Sequence, residues 1–264
     1  MTSTSPLGVF DSGIGGLTVA HAIKNTLPNE DIVYFGDTQH LPYGEKSASA
    51  IINFSKKITS FLLKKQCKAI IIACNSASSI AYKEIQSIAK VPVFNVIDPV
   101  INRIPLNEKK RIGVIGTKAT IESNVYYSKI KKNNPRQKVY SLATPLLAPM
   151  IEEEFINEDI SRTIIKNYLS SSKLKNIDYL ILACTHYPLI KSEINEFYQG
   201  KIKLIDSSHA VSLDISNYLN KKAMLNQKRG SKYEFYVSNY TRSFEESAKF
   251  FFKREIKLKE INLI

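Results

Sequence analysis

The chain has 264 residues, of which 44% are apolar, 10% aromatic and 23% charged. It therefore builds a real core, in one large domain or two smaller ones, and is not a disordered tail. Three cysteines are too few and too odd in number for a disulfide scaffold, and a net charge of +13 raises a nucleic-acid or anionic-surface partner as one class to weigh.

In chain order, short β-rich apolar runs predict strands at 7–10, 32–35, 69–73, 93–97, 112–115, 139–142, 179–183 and 203–205. Amphipathic patterns predict helices between them at 17–27, 47–66, 79–89, 122–132, 160–173 and 189–198. Strand alternating with helix at this spacing means an α/β fold with mostly parallel sheets. After Asp206, residues 232–238 read as one more strand. Residues 243–255, with Phe244, Ala248, Phe251 and Phe252 near helical spacing, read as a helix that packs back on an earlier unit. No Gly/Ser-rich linker marks a boundary; the best candidates are 98–107, with Pro99 and Pro105, and the stretch after Asp206.

The strand series repeats itself at a near-constant offset. Gly8-Val9-Phe10-Asp11 answers to Gly113-Val114-Ile115-Gly116, and the run 32–37 to the run 139–144. Ala73-Cys74-Asn75 answers to Ala183-Cys184-Thr185, and Val96-Ile97-Asp98 to Leu204-Ile205-Asp206. Four landmarks in order imply two similar, pseudo-symmetric α/β domains. The expected division is 1–98 together with a returning 207–264, against 99–206, with the active site in the cleft between them.

Several readings compete with chemistry here. The basic surplus consists of lysines, with only seven arginines, and its doublets (Lys56-Lys57, Lys64-Lys65, Lys109-Lys110, Lys131-Lys132, Lys221-Lys222) are scattered. Bidentate reading of nucleic acid favours arginine, so solvated helix faces are the simpler explanation and nucleic acid is not expected as a partner. No apolar run approaches the ~20 residues of a bilayer span. The opening MTSTSPLGVF lacks the charged and apolar regions of a secretory signal, so free thiols in a reducing cytoplasm are expected.

In parallel α/β units, functional groups gather at the carboxyl ends of strands. The polar residues there are Asp11-Ser12, Asp37, Cys74-Asn75-Ser76, Thr117, Cys184-Thr185-His186 and Asp206-Ser207-Ser208. Each repeat places one cysteine at the end of the equivalent strand. Two thiols facing one cleft from opposite sides suit inversion of a stereocentre, in which one group removes a proton and the other delivers one to the opposite face. A free thiol titrates near ~8.5, so neighbours must assist at neutral pH; Asp11 and His186 are the candidates. A single buried cysteine after an apolar strand is more often a core residue, which is the reading for Cys67. Zinc is disfavoured because neither paired C-x-x-C nor H-x-x-x-H spacing is present. The loop Gly13-Ile14-Gly15-Gly16 has Thr18 where a dinucleotide fingerprint needs its last glycine, and its backbone N–H groups fit a carboxylate equally well. His21, His40 and His209 read as structural.

Taken together, Asp11 to Thr18, Pro42-Tyr43-Gly44, Cys74 to Ser78, Gly116-Thr117 through Thr120, Cys184-Thr185-His186-Tyr187-Pro188 and Ile205-Asp206-Ser207 resemble the cofactor-independent glutamate racemase family. The resemblance spans roughly 7–210 in the family's order. It implies that Cys74 and Cys184 are the proton donor/acceptors, supported by Asp11 and His186 respectively. It further implies substrate contacts at Asp11, Ser12, Pro42, Tyr43, Gly44, Asn75, Ser76, Thr117, Thr120, Thr185 and His186. Pro149-Met150-Ile151-Glu152 is similar to the family's acidic segment, and the run Glu152-Glu153-Glu154 leaves room for a slip of one. The resemblance implies no cofactor or metal, L- and D-glutamate as substrate, D-glutamate supply to peptidoglycan, and a homodimer among possible assemblies.

Departures are small. Ser76 stands where many members carry threonine, and Ala183 where glycine is common. The few residues before the first strand imply no activation by UDP-MurNAc-L-Ala. Aspartate racemase is the nearest alternative; that group more often carries glutamate at the position of His186 and a Cys-Asn-Thr-Ala-His-like motif at 74–78. A basic nucleic-acid- or topoisomerase-binding protein is the alternative from another class.

Overall fold

The alternating runs condense into two parallel sheets. The computed structural model describes residues 2–105, 108–156, 159–252 and 256–263. In chain order the strands are β1 (Leu7–Asp11), β2 (Ile32–Gly36), β3 (Ala69–Ile72), β4 (Val93–Asn95), β5 (Arg111–Gly116), β6 (Lys138–Ala143), β7 (Tyr179–Ala183), β8 (Lys203–Asp206), β9 (Tyr233–Val237) and β10 (Leu258–Glu260). The first sheet has the order β10-β9-β2-β1-β3-β4 and the second β6-β5-β7-β8, with parallel pairing throughout. The sub-order β2-β1-β3-β4 is reproduced by β6-β5-β7-β8. This is the duplication foreshadowed by the sequence repeat.

Both faces of each sheet are covered, which is why the strands read as continuous apolar runs rather than alternating ones. The two-residue period then sorts them. Ala69 and Ile71 enter the core beneath helices Gly16–Thr26 and Ser207–Lys221, while Ile70 and Ile72 enter the core beneath Ala48–Lys64. In β7, Leu180 and Leu182 face one core and Ile181 and Ala183 the other. Helix Ala48–Lys64 shows the matching 3.6 period: Ile51, Ser55, Ile58 and Leu62 are buried, and Ser47 caps its N-terminus by accepting from Ala50 N at 3.3 Å.

The tail joins the first sheet. β9 pairs with β2 and carries β10 beyond it, and helix Arg242–Phe252 buries Phe244, Ala248 and Phe252. Of the predicted helix 243–255, residues 253–255 lie outside the described residues, as do 106 and 107 of the candidate boundary at 98–107. A buried pair also ties the tail down. Lys68 Nζ lies 2.6 Å from Glu30 and donates to Met224 O at 2.8 Å, while Asn226 N donates to Glu30 at 2.8 Å.

Several helices differ from expectation. The stretch after Asp206 is the helix Ser207–Lys221, not a linker, packed through Val211, Ile215 and Leu219. The predicted helix 79–89 is two, Asn75–Ile80 and Tyr82–Ile88. The predicted helix 122–132 is also two, Lys118–Glu122 and Val125–Asn133, divided by Asn124 in the left-handed region at φ 56°. No helix among the described residues is long and apolar enough to cross a membrane.

Candidate active site

The carboxyl ends of the two sheets meet. From the first sheet, β3 ends one residue short of Ala73 and Cys74, and Cys74 is the N-cap of helix Asn75–Ile80. Its sulfur accepts from Ala77 N at 3.5 Å and lies 3.8 Å from Ser12 Oγ, which follows β1. Burial pushes the Cys74 thiol up to about 12, with the Asp11 carboxylate adding to the rise and the Ala77 N–H and Ser12 hydroxyl opposing it. Cys74 is thus held as a neutral thiol.

From the second sheet, Cys184 follows β7 directly. Its sulfur lies 3.5 Å from His186 Nδ1, and His186 Nε2 hydrogen-bonds to Glu152 on helix Leu147–Glu152. Burial works to discharge His186, yet the Glu152 carboxylate, then the Cys184 sulfur, outweigh it and hold the imidazole well above its ordinary range. Glu152 in turn accepts from Ile14 N at 3.1 Å. This settles the slip of one: Glu152 reaches inward, whereas Glu153 and Glu154 are exposed.

Between the thiols lies a small, nearly closed cavity of about 20 Å³, room for a water and not yet for an amino acid. The first unit lines it with Ser12, Pro42, Tyr43, Gly44, Cys74, Asn75 and Ser76; the second with Thr117, Ala148, Cys184, Thr185 and His186. Of the expected site residues, Asp11, Thr120 and Glu152 stand behind this wall. Thr120 hydrogen-bonds to Thr117 at 3.1 Å. Asp11 is wholly buried and accepts from Gly13 N at 3.0 Å, Gly16 N at 3.1 Å and Thr185 Oγ1 at 3.4 Å. Burial raises Asp11, while the His186 charge and the two amides restrain the rise. The glycine loop, expected to offer free N–H groups to a carboxylate, instead receives the protein's own: Gly13 and Gly16 N–H donate to Asp11 and Ile14 N–H to Glu152.

The units are in close contact around the cavity. Ser76 Oγ lies 2.9 Å from Thr117 Oγ1. A Cβ on Gly44 would lie 2.5 Å from Thr117 Cβ, and one on Gly15 would lie 2.6 Å from both His186 Nδ1 and Thr185 Oγ1. Glycine at both positions lets the halves approach. At the rim Lys118 pairs with Glu45 at 3.0 Å.

Some residues at or behind the wall have roles that the sequence leaves unassigned. Asp37, the carboxylate just after β2, accepts from Tyr43 OH at 2.5 Å and from His40 Nδ1 at 2.8 Å, steadying the Tyr43 wall. Ala148 lines the cavity and carries no chemical signal in sequence. Tyr126 donates to Asn75 Oδ1 at 2.7 Å. Asp206, by contrast, pairs with Lys191 at 2.7 Å away from the cavity lining. Cys67 is buried against Gly8, remote from this lining. Among the described residues no group of three or more His, Cys, Asp or Glu side chains is placed to hold a metal ion.

Known proteins resemble the chain over nearly its whole length. A "Glutamate racemase 3" from Caldanaerobacter subterraneus subsp. tengcongensis is 38% identical over 261 residues, covering 98% of this chain and 95% of that one. The solved glutamate racemase of Francisella tularensis, in complex with D-glutamate, superposes with a TM-score of 0.92 at 42% identity, covering 99% and 98% of the two chains. A Bacillus anthracis glutamate racemase isoform gives a TM-score of 0.94 at 34% identity over 99% and 98%. Residues 16–212 match the model of the Asp/Glu/Hydantoin racemase family, and the chain belongs to that family.

Proposed function

We propose that the protein is a glutamate racemase that inverts Cα by proton transfer between two cysteines. The observation that carries this reading is the pair of thiols, one from each repeat, on a single cavity and in unlike electrostatic surroundings. In one direction the sulfur of Cys184, beside the His186 imidazolium, takes the Cα proton as thiolate. The electron pair passes into the carbanion and its carboxylate, and the S–H of Cys74 delivers a proton to the opposite face. Cys74 is left as thiolate, and the opposite enantiomer runs the same steps backwards. Because the α-proton is a poor acid next to an ionised carboxylate, hydroxyl and amide donors must stabilise the developing charge. Ser12, Asn75, Ser76, Thr117 and Thr185 supply such groups at the wall.

In this reading the catalytic residues are Cys74 and Cys184, with Asp11, His186 and Glu152 behind them. Residues 1–98 with 207–264 and residues 99–206 act as halves that part to admit glutamate; the pairing of β9 with β2 supports that division. The product serves peptidoglycan synthesis in the cytoplasm. Incubation with L-glutamate in deuterated water without added pyridoxal phosphate tests the activity: loss of optical rotation with deuterium at Cα is expected, and no exchange contradicts it. Aspartate assayed side by side is expected to turn over far more slowly; preference for aspartate reassigns the substrate.

A further inference from the structure

Asn75 follows Cys74 at the N-terminus of helix Asn75–Ile80 and is 2% exposed. Its two amide atoms are treated differently. Oδ1 accepts a hydrogen bond from Tyr126 OH at 2.7 Å, whereas Nδ2 is buried with no hydrogen-bond partner among the described residues, on a side chain that lines the cavity. A buried donor without a partner is costly, and a protein retains one where a ligand completes it.

Tyr126 comes from the other half of the molecule. It lies on helix Val125–Asn133, whose entry is turned by left-handed Asn124, and it is anchored among Ile97, Val100, Ile101 and Ile130. Burial, with the charges of Cys184 and Asp98 adding to it, holds the phenol protonated far above its ordinary range. Its hydrogen is thus permanently available to Oδ1. The flipped amide would strand the phenol hydrogen and turn Oδ1 toward an anionic substrate. We infer that Tyr126 is a positioning residue: it locks the Asn75 amide so that Nδ2 donates to a substrate carboxylate. Because the lock spans both halves, the donor is correctly aimed only when they are closed together. This inference rests on the assignment of the cavity to glutamate.

The test measures D-glutamate binding by calorimetry in a Cys74→Ser chain, together with initial rates in both directions in the otherwise unaltered enzyme. Tyr126→Phe is expected to weaken binding and raise KM about tenfold, with kcat changed much less, since the contact is made in ground and transition states alike. Asn75→Ser is expected to raise KM at least as much, and adding Tyr126→Phe to it is expected to change nothing further. An unchanged affinity in Tyr126→Phe, or a Tyr126→Phe effect that persists undiminished beside Asn75→Ser, overturns the inference. So does an Asn75→Ser enzyme with unaltered KM, whatever the folding of the tyrosine variant. A parent chain that binds glutamate without racemising it counts against the activity alone, because the binding arm still reads the lock.

Discussion

Cys74 follows β3 and Cys184 follows β7, the same place in two sheets of one strand order, yet they meet different neighbours. Cys74 has a hydroxyl, a helix amide and a nearby carboxylate, and burial keeps it a thiol. Cys184 has an imidazole that Glu152 and the sulfur itself hold protonated. The difference teaches how a duplicated fold divides its labour. Backbone repetition places two chemically equal groups on opposite walls, and unequal side chains surround them: a carboxylate, a hydroxyl and a helix amide at Cys74, and an imidazolium at Cys184.

The largest expected effects come from removing either thiol. Cys74→Ala and Cys184→Ala each lower the racemisation rate by about 10³-fold or more, whereas Cys67→Ala, read by the same assay, leaves it nearly intact. A variant of either wall cysteine that still racemises would falsify the division of labour. Next in size is the imidazolium side. Glu152→Gln lowers kcat/KM about 10- to 100-fold and moves the alkaline limb of its pH profile to lower pH, because His186 loses its foremost charged partner. The same linkage acts on stability. With its folded pKa raised, His186 contributes stability that is complete below its unfolded value near ~6.5 and is lost as pH rises through the folded value. Thermal melts across that range follow this loss in the parent and a smaller one in Glu152→Gln.

Smaller effects probe the seam between the halves. Gly44→Ala places a methyl 2.5 Å from Thr117 Cβ; KM for glutamate rises about tenfold as the halves are held apart. Lys118→Met breaks only the exposed pair with Glu45 at the rim and changes kcat/KM by no more than about twofold, an effect that fades in high salt.

Much of this is legible in the sequence itself. Strands buried on both faces announce themselves as short β-branched runs, and repetition makes Cys74 and Cys184 stand out from Cys67. The helix Ser207–Lys221 was hidden because Ser207, Ser208 and Ser212 occupy buried positions that a periodicity argument expects to be apolar. The split at Asn124 was hidden because its left-handed turn leaves little trace in hydropathy, and with it went the direction of Tyr126. The electrical inequality of the thiols depends on Asp11, Glu152 and His186 meeting across distant segments. Strand-end position names Asp11 and His186, and the family resemblance names Glu152, but only the fold shows that Asp11 is tied to loop amides and Thr185 while Glu152 holds His186.

The most direct test of the two-wall account follows the first few percent of conversion of D-glutamate in deuterated water, separating the enantiomers before mass analysis. Two thiols on opposite faces predict deuterium at Cα of newly formed L-glutamate while unreacted D-glutamate keeps its protium. Equal early labelling of both enantiomers would mean that a single group serves both faces, and would contradict the account.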